Sequence, residues 1–537
     1  MDDSTQEKEP ISSSNIKKYV NLLLKRYQTN QNDRITNPDD PEKWIKSEVD
    51  LDEHIRLFAD LSTIPSLYPQ FLNLGGFKVL SDILSHQNID IVIPCITVLS
   101  ELLDPEIIFN LNNTEDFLKE LEFLSIHKLC INGLLKIEEG VLAENNDTID
   151  NGEMDYNGVK SSFELIENLV EITPSVINDM ATNVDLLGFL IKRMKTSKTM
   201  EYDSNRIHAS EILCIILQGS EEAVVKVGNK DPLDGIDAML RIIAIYRKRD
   251  PESIEEEELV ENVFQCLCRL MFNKDNQLRF GKIQGLQLAI RLIRERRKTY
   301  KQALKLLDYA LLDCPENCKQ FVVLFGLKCI FSVLMRKGVS TKVGSEEEKQ
   351  EDENVVSVLN SLCSHCNGEE LCRFREKISR LARVVNKFVE NKHEKLERIV
   401  ELHKKYTQRS KALLKKIEQN KQHSKEIFDM LSLNEGEQSY LDKYEAGLSI
   451  CQMIDCVMVR LYNVDNKNLP LCLLVLLHNK GVDIQDIYNN VSGMNCENGR
   501  CVDFLEHLSE DARDTREVVE GLLKNFLMGA KNSGYFD

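Results

Sequence analysis

The chain has 537 residues, with 68 Lys and Arg against 87 Asp and Glu, for a net charge of −19. That length exceeds one ordinary core and calls for several domains or a long repeat array. With 24 Gly, 12 Pro and 42% apolar residues, collagen-like, Pro-rich and propeller designs are excluded, as is wholesale disorder. The negative field should not draw the whole molecule to nucleic acid or anionic lipid.

Met1–Pro10 is acidic and polar, unlike a signal peptide. The purest uncharged apolar run, Leu469–Leu477, is about half of a membrane span. A soluble, intracellular chain without a membrane partner is therefore expected. The 16 Cys sit mostly in apolar helical patterns, as at Cys95, Cys214, Cys266, Cys268 and Cys329. They read as buried free thiols in a reducing compartment.

In chain order, residues 1–36 read as a polar, partly disordered tail and 37–66 as N-terminal capping helices. Ser66 is a candidate helix cap. From there the apolar residues recur at three- and four-residue steps. Phe71–Leu103 reads as a short helix ending in Gly75-Gly76, a second helix to Leu84, a polar link, and a third helix from Ile91. Similar units open at Gly235, Gly285 and Gly326, with third helices at Leu259–Phe272, Tyr300–Leu312 and Val355–Cys363. Spacings of about 40–50 residues are those of armadillo or HEAT repeats. The fold class expected is all-α, an armadillo/HEAT-type α-solenoid superhelix with extra capping helices at both ends.

The repeat array should occupy 67–374, with mobile acidic loops near 138–158 and 338–353. Residues 375–430 read as long basic helices. Between Glu376 and Lys425 there are 15 Lys and Arg against 6 Glu. With few aromatics to stack on bases, that segment reads as a solvated face or a contact with the acidic body, and direct RNA binding is not expected. Residues 431–537 form a C-terminal helical region. In it Leu469–Leu477 is either core or a self-association contact.

Several stretches resemble the beta-catenin-like family of armadillo-repeat, spliceosome-associated nuclear proteins. They include DPEKWIKSEVDLDEHI (Asp40–Ile55), LYPQFLNLGGFKVLSDILSHQNIDI (Leu67–Ile91), YNGVKSSFELIENLVEITP (Tyr156–Pro174), GLQLAIRLIRERRKTYKQALKLLDYAL (Gly285–Leu311) and RIVELHKKY (Arg398–Tyr406). The matches are collinear from about residue 37 to 527. The resemblance implies a non-enzymatic nuclear scaffold in pre-mRNA splicing. It implies partners among splicing factors of the nineteen complex, held through basic, nuclear-localisation-type segments. The family's basic N-terminal signal is missing, since Met1–Asn15 holds only Lys8. Nuclear entry would then rest on a partner, and the cytoplasm is the alternative location. The alternative function is a nuclear transport adaptor or a catenin-like cytoplasmic scaffold.

In peptide-binding armadillo proteins an Asn on each third helix clamps the peptide backbone. Here the equivalent positions are Glu101, Asn168, Ile215, Arg269, Tyr309 and Ser361, so only Asn168 keeps the amide. A regular amide ladder is not expected. Carboxylates on or near the same faces are Glu101, Glu164, Glu167, Glu211, Glu261 and Asp308. Pointing into a groove they would attract Lys and Arg of a partner; otherwise they are solvated helix charges. The partner-binding groove is accordingly assigned to Glu101, Glu164, Asn168, Glu211, Glu261, Arg269 and Asp308. Cys363, His365, Cys366 and Cys372 lack the spacing of a zinc site, and no nucleotide, hydrolase or metalloprotease motif occurs. No catalytic residue, metal or cofactor is expected.

Overall fold

The computed structural model describes residues 10–111, 114–143, 149–195, 204–338, 341–366, 380–431, 447–464, 466, 468–492 and 511–534. Helix is the only regular structure among them, so the fold is all-α. The chain divides into two compact units, residues 1–245 with 251–270, and residues 246–250 with 271–537.

The first unit opens with α1 (Ile16–Thr36) and α2 (Ile45–Arg56). Most of the expected N-terminal tail is thus helix. Ile16, Val20 and Leu23 are buried on one face of α1, which packs on α2. Buried Asn30 accepts through Oδ1 from His86 Nε2 at 2.9 Å. The first repeat comprises α3 (Tyr68–Asn73), α4 (Gly76–Ile83) and α5 (Ile89–Leu102). Ser66 caps nothing, because a 3-10 turn over Pro65–Leu67 puts Leu67 at the cap of α3. Then follow α6 (Pro105–Phe109), α7 (Thr114–Leu124), α8 (Ile126–Ala143), α9 (Ile149–Ile172), α10 (Val176–Thr182), α11 (Val184–Arg193), α12 (Ser204–Gly219), α13 (Glu221–Gly228), α14 (Gly235–Ala244) and α15 (Ile254–Leu270). Helix therefore covers most of 138–158, where composition marks a loop. The described end of α9 turns inward, with Val159, Phe163, Leu165 and Ile166 buried.

The long third helices form a layer. Helix α2 packs on α5, α5 on α9, α9 on α12 and α12 on α15. Helices α5, α9 and α12 are flanked on both sides, which is why α5 buries apolar residues around most of its circumference, from Ile91 to Leu102. Burying each such side chain contributes roughly 1.5–3 kcal/mol.

The hairpins between first and second helices share one device. The residue before the second helix is left-handed: Gly75, Asp234, Gln284 and Phe325 all have positive φ. The glycine after it lies under a side chain of the first helix. A Cβ on Gly285 would sit 2.5 Å from the Phe280 ring, and one on Gly326 would sit 2.3 Å from Phe321. The helices cross that closely because nothing projects between them.

The second unit continues with α16 (Lys274–Lys282), α17 (Gly285–Glu295), α18 (Tyr300–Leu311), α19 (Pro315–Val323), α20 (Gly326–Leu334) and α21 (Glu346–His365). The expected loop at 338–353 is in large part the start of α21. The Ser345 hydroxyl caps it by accepting from Glu348 N, and Glu346, Glu347 and Glu348 fill its first turn, where the helix dipole favours negative charge. Glu348, Glu351 and Asp352 are buried.

These buried acids hold the basic segment, α22 (Arg380–Leu431), which breaks at Glu390–His393. Its Lys405 Nζ lies 3.0 Å from Glu348 and 2.9 Å from Asp352. The Tyr406 hydroxyl donates to Asp352 at 2.8 Å. Arg336 reaches Glu348 at 2.9 Å, and Arg409 reaches Glu346 at 3.1 Å. Much of the basic excess is thus paired within the chain, while Val384, Val385, Phe388, Leu396, Ile399 and Val400 are buried beneath it.

The end of the chain is α23 (Leu448–Tyr462), α24 (Leu469–Lys480), α25 (Ile484–Ser492) and α26 (Asp511–Asn532). Leu469, Leu473, Leu474 and Leu477 are buried, while Leu471 is exposed. No single helix among the described residues is long and apolar enough to cross a membrane. Of the thirteen described cysteines, all free, twelve are buried. Burial pushes the Cys363 thiol up to about 12 and Cys366 to about 11; Cys372 lies outside the described residues.

Candidate functional site

The layer α5–α9–α12–α15 positions most of the residues singled out above. Glu101 stands exposed near the end of α5. Its carboxyl is held above the usual range by partial burial, then by the charges of Asp60 and Glu164. Glu164, on α9, faces Lys160 one turn earlier at 3.5 Å, a pairing too exposed and too long to count for much. Among the described residues Glu101 has no basic partner. Glu101, Glu164 and Asp60 therefore form a like-charged group drawn from α5, α9 and the 3-10 stretch after α2.

A notch of about 370 Å³ includes Glu164 of that group in its lining, together with Arg56, Ile93, Pro94, Thr97, Asn157, Lys160 and Ser161. Pro94 has no N–H to offer the Asp90 carbonyl inside α5. The Thr97 hydroxyl bonds to Ser161 across the two helices at 3.1 Å. The lining combines apolar Ile93 and Pro94 with the hydroxyls of Thr97 and Ser161 and the charges of Arg56, Lys160 and Glu164.

Asn168, the one ladder amide, is engaged elsewhere. Its Nδ2 donates to the Ser100 carbonyl on α5 at 3.0 Å. Arg269, at the matching place on α15, donates from Nε to the Leu217 carbonyl on α12 at 3.0 Å and pairs with Glu221. Both side chains reach back to the helix before them and tie successive repeats together. Glu261 is exposed on α15.

Glu211 is brought into a cluster that the spacing did not reveal. His208 Nδ1 lies 3.2 Å from Glu167 Oε1 and 3.5 Å from Glu211 Oε2. Hydrogen bonds to these two carboxylates push His208 up to about 10, so in the absence of other ligands it is an imidazolium at neutral pH. Burial raises Glu167. Among the described residues this is the one group of three such side chains close enough to share a metal ion. The signal in the sequence was the His208–Glu211 pair one helical turn apart; the third member comes from α9 and needed the fold.

Asp308 belongs to the second unit. It is half-buried on α18, and burial pushes its carboxyl up to about 7 despite a hydrogen bond from Ser357. Its Oδ1 is buried without a partner. Around neutral pH it carries only part of a charge.

Stacked three-helix units with a layer of third helices define an armadillo-type α-solenoid, a scaffold architecture. The family model described as "Catenin-beta-like, Arm-motif containing nuclear" matches residues 1–492, and the chain belongs to that family. It is similar to Beta-catenin-like protein 1 of Homo sapiens, with 31% identity over 522 residues, 96% of this chain and 87% of that protein. It is also similar to the Beta-catenin-like protein 1 homolog of Schizosaccharomyces pombe, with 33% identity over 412 residues, 75% of this chain and 66% of the yeast protein. Among solved structures, a chain of the SYS-1/POP-1 complex shares 9% identity and a TM-score of 0.40 over 90% of this chain and 91% of its own length.

Proposed function

We propose that the chain is a non-enzymatic scaffold of pre-mRNA splicing, in the nucleus, that holds basic segments of splicing-factor proteins against its third-helix layer. The observation carrying this reading is the like-charged group of Glu101, Glu164 and Asp60, with Glu101 shifted upward by partial burial and then by the charges of these neighbours. A group of carboxylates with too few internal cations is relieved by a Lys or Arg supplied from outside. The notch that Glu164 lines offers apolar Ile93 and Pro94 to the aliphatic stem. The family's nuclear description and the beta-catenin-like relatives support the setting. The amides of Asn168 and the guanidinium of Arg269 are engaged with the chain's own carbonyls. Recognition therefore rests on side-chain charge, with no backbone ladder.

The test is fluorescence anisotropy with a labelled basic peptide of nuclear-localisation type, at moderate and high salt. Glu101→Lys should weaken binding at least several-fold at moderate salt. Glu211→Lys should weaken it less, because His208 already faces that carboxylate. Equal affinity of the wild type and Glu101→Lys would reject the acidic wall as the binding surface.

A further inference from the structure

We propose that Glu167, His208 and Glu211 form a divalent transition-metal site, with zinc as the fitting ion. His208 and Glu211 lie one turn apart on α12, and Glu167 faces them from α9, which packs on α12. Their ligand atoms all lie within 4.8 Å of one another. A tetrahedral zinc with bonds of about 2.0–2.2 Å to nitrogen and oxygen needs ligand–ligand edges of about 3.3–3.6 Å. The two edges from His208 Nδ1 measure 3.2 and 3.5 Å. Two of the three donor–donor edges are thus near tetrahedral length, and the third, between the carboxylates, lies within 4.8 Å, a distance that rotation of a carboxylate about its own stem can close.

The surroundings suit an ion. The side chains are 24%, 27% and 32% exposed for His208, Glu167 and Glu211, so solvent can reach one side and supply a fourth ligand. The centroid of the fully buried Phe163 ring lies 6.4 Å from that of the imidazole. One imidazole and two carboxylates favour zinc over calcium or magnesium, which take oxygen donors alone. A dication bound by neutral His208 and two carboxylates leaves the site with no net charge. On binding, the metal takes Nδ1 and the proton held there goes to solvent.

The site shares Glu211 with the proposed groove but does not depend on peptide binding, and its test uses no peptide. The full-length chain, stripped with chelator and kept reduced, is titrated first with cobalt(II) and then with zinc. One equivalent of cobalt should give visible d–d bands without the near-ultraviolet charge-transfer of thiolate ligands, and zinc should displace it. His208→Gln and Glu167→Gln should each lower the affinity at least tenfold while circular dichroism stays unchanged. Glu167 is accessible enough that its variant should fold even if His208→Gln does not. Thiolate bands, absence of binding, or equal affinity in wild type and Glu167→Gln would overturn the proposal.

Discussion

Replacing Asp308 by Asn should stabilise the second unit, and by more at pH 8 than at pH 5. The carboxyl sits on α18 against α21, where Ser357 donates one hydrogen bond, Glu353 repels it, and Oδ1 has no donor. Its folded value is raised to about 7, against about 3.9 in an unfolded chain. The folded state therefore binds the proton more tightly. Stability from this group is full below about pH 4, falls as pH rises through 7, and stays lost above it. A shift of about 3 units has a ceiling near 4 kcal/mol. The residue is partly accessible, so about 1–2 kcal/mol is the realistic gain at pH 8. Asn keeps an acceptor for Ser357 and turns an amide toward Glu353. Thermal unfolding across pH 5–8 reads the effect as a rise of roughly 2–6 °C at pH 8 for a unit of this size. A wild-type-minus-variant difference that is flat with pH, or a variant less stable at pH 8, would refute the argument.

Two further perturbations follow from the packing. Gly285→Ala and Gly326→Ala should each cost about 1–3 kcal/mol, because the new Cβ meets Phe280 or Phe321 well inside contact distance; in urea unfolding, adding Phe280→Leu should recover part of the Gly285→Ala loss. Lys405→Met should cost about 2–3 kcal/mol, since it strips a counter-ion from buried Glu348 and Asp352. Faster amide exchange confined to the start of α21 and to α22 would locate that loss; uniform exchange would contradict it.

The Gly75-Gly76, Gly285 and Gly326 turns and the helices between them were readable from residue order alone, because helix periodicity and hairpin turns are set over a few residues. The same logic did not reveal the helices over Ile16–Thr36, Ile149–Ile172 and the start of α21. Those stretches are polar enough to pass for exposed tails and loops. At the start of α21 burial depends on a partner far along the chain: Glu348 and Asp352 are satisfied by Lys405, whose bond to Asp352 spans 53 residues. Counting carboxylates on helix faces found Glu101, Glu164 and Glu211 but treated them as equals.

The residue pattern by itself determined the class of fold, the stacking of three-helix units and the surplus of acidic groups on the third helices. Only the tertiary structure decided which of those groups face no cation and which are already matched. Asn168 reaches Ser100 across 68 residues and His208 reaches Glu167 across 41. Electrostatic and hydrogen-bond pairing is decided by distance in space, and periodicity along a helix says which face a residue takes without saying what the neighbouring helix brings to meet it.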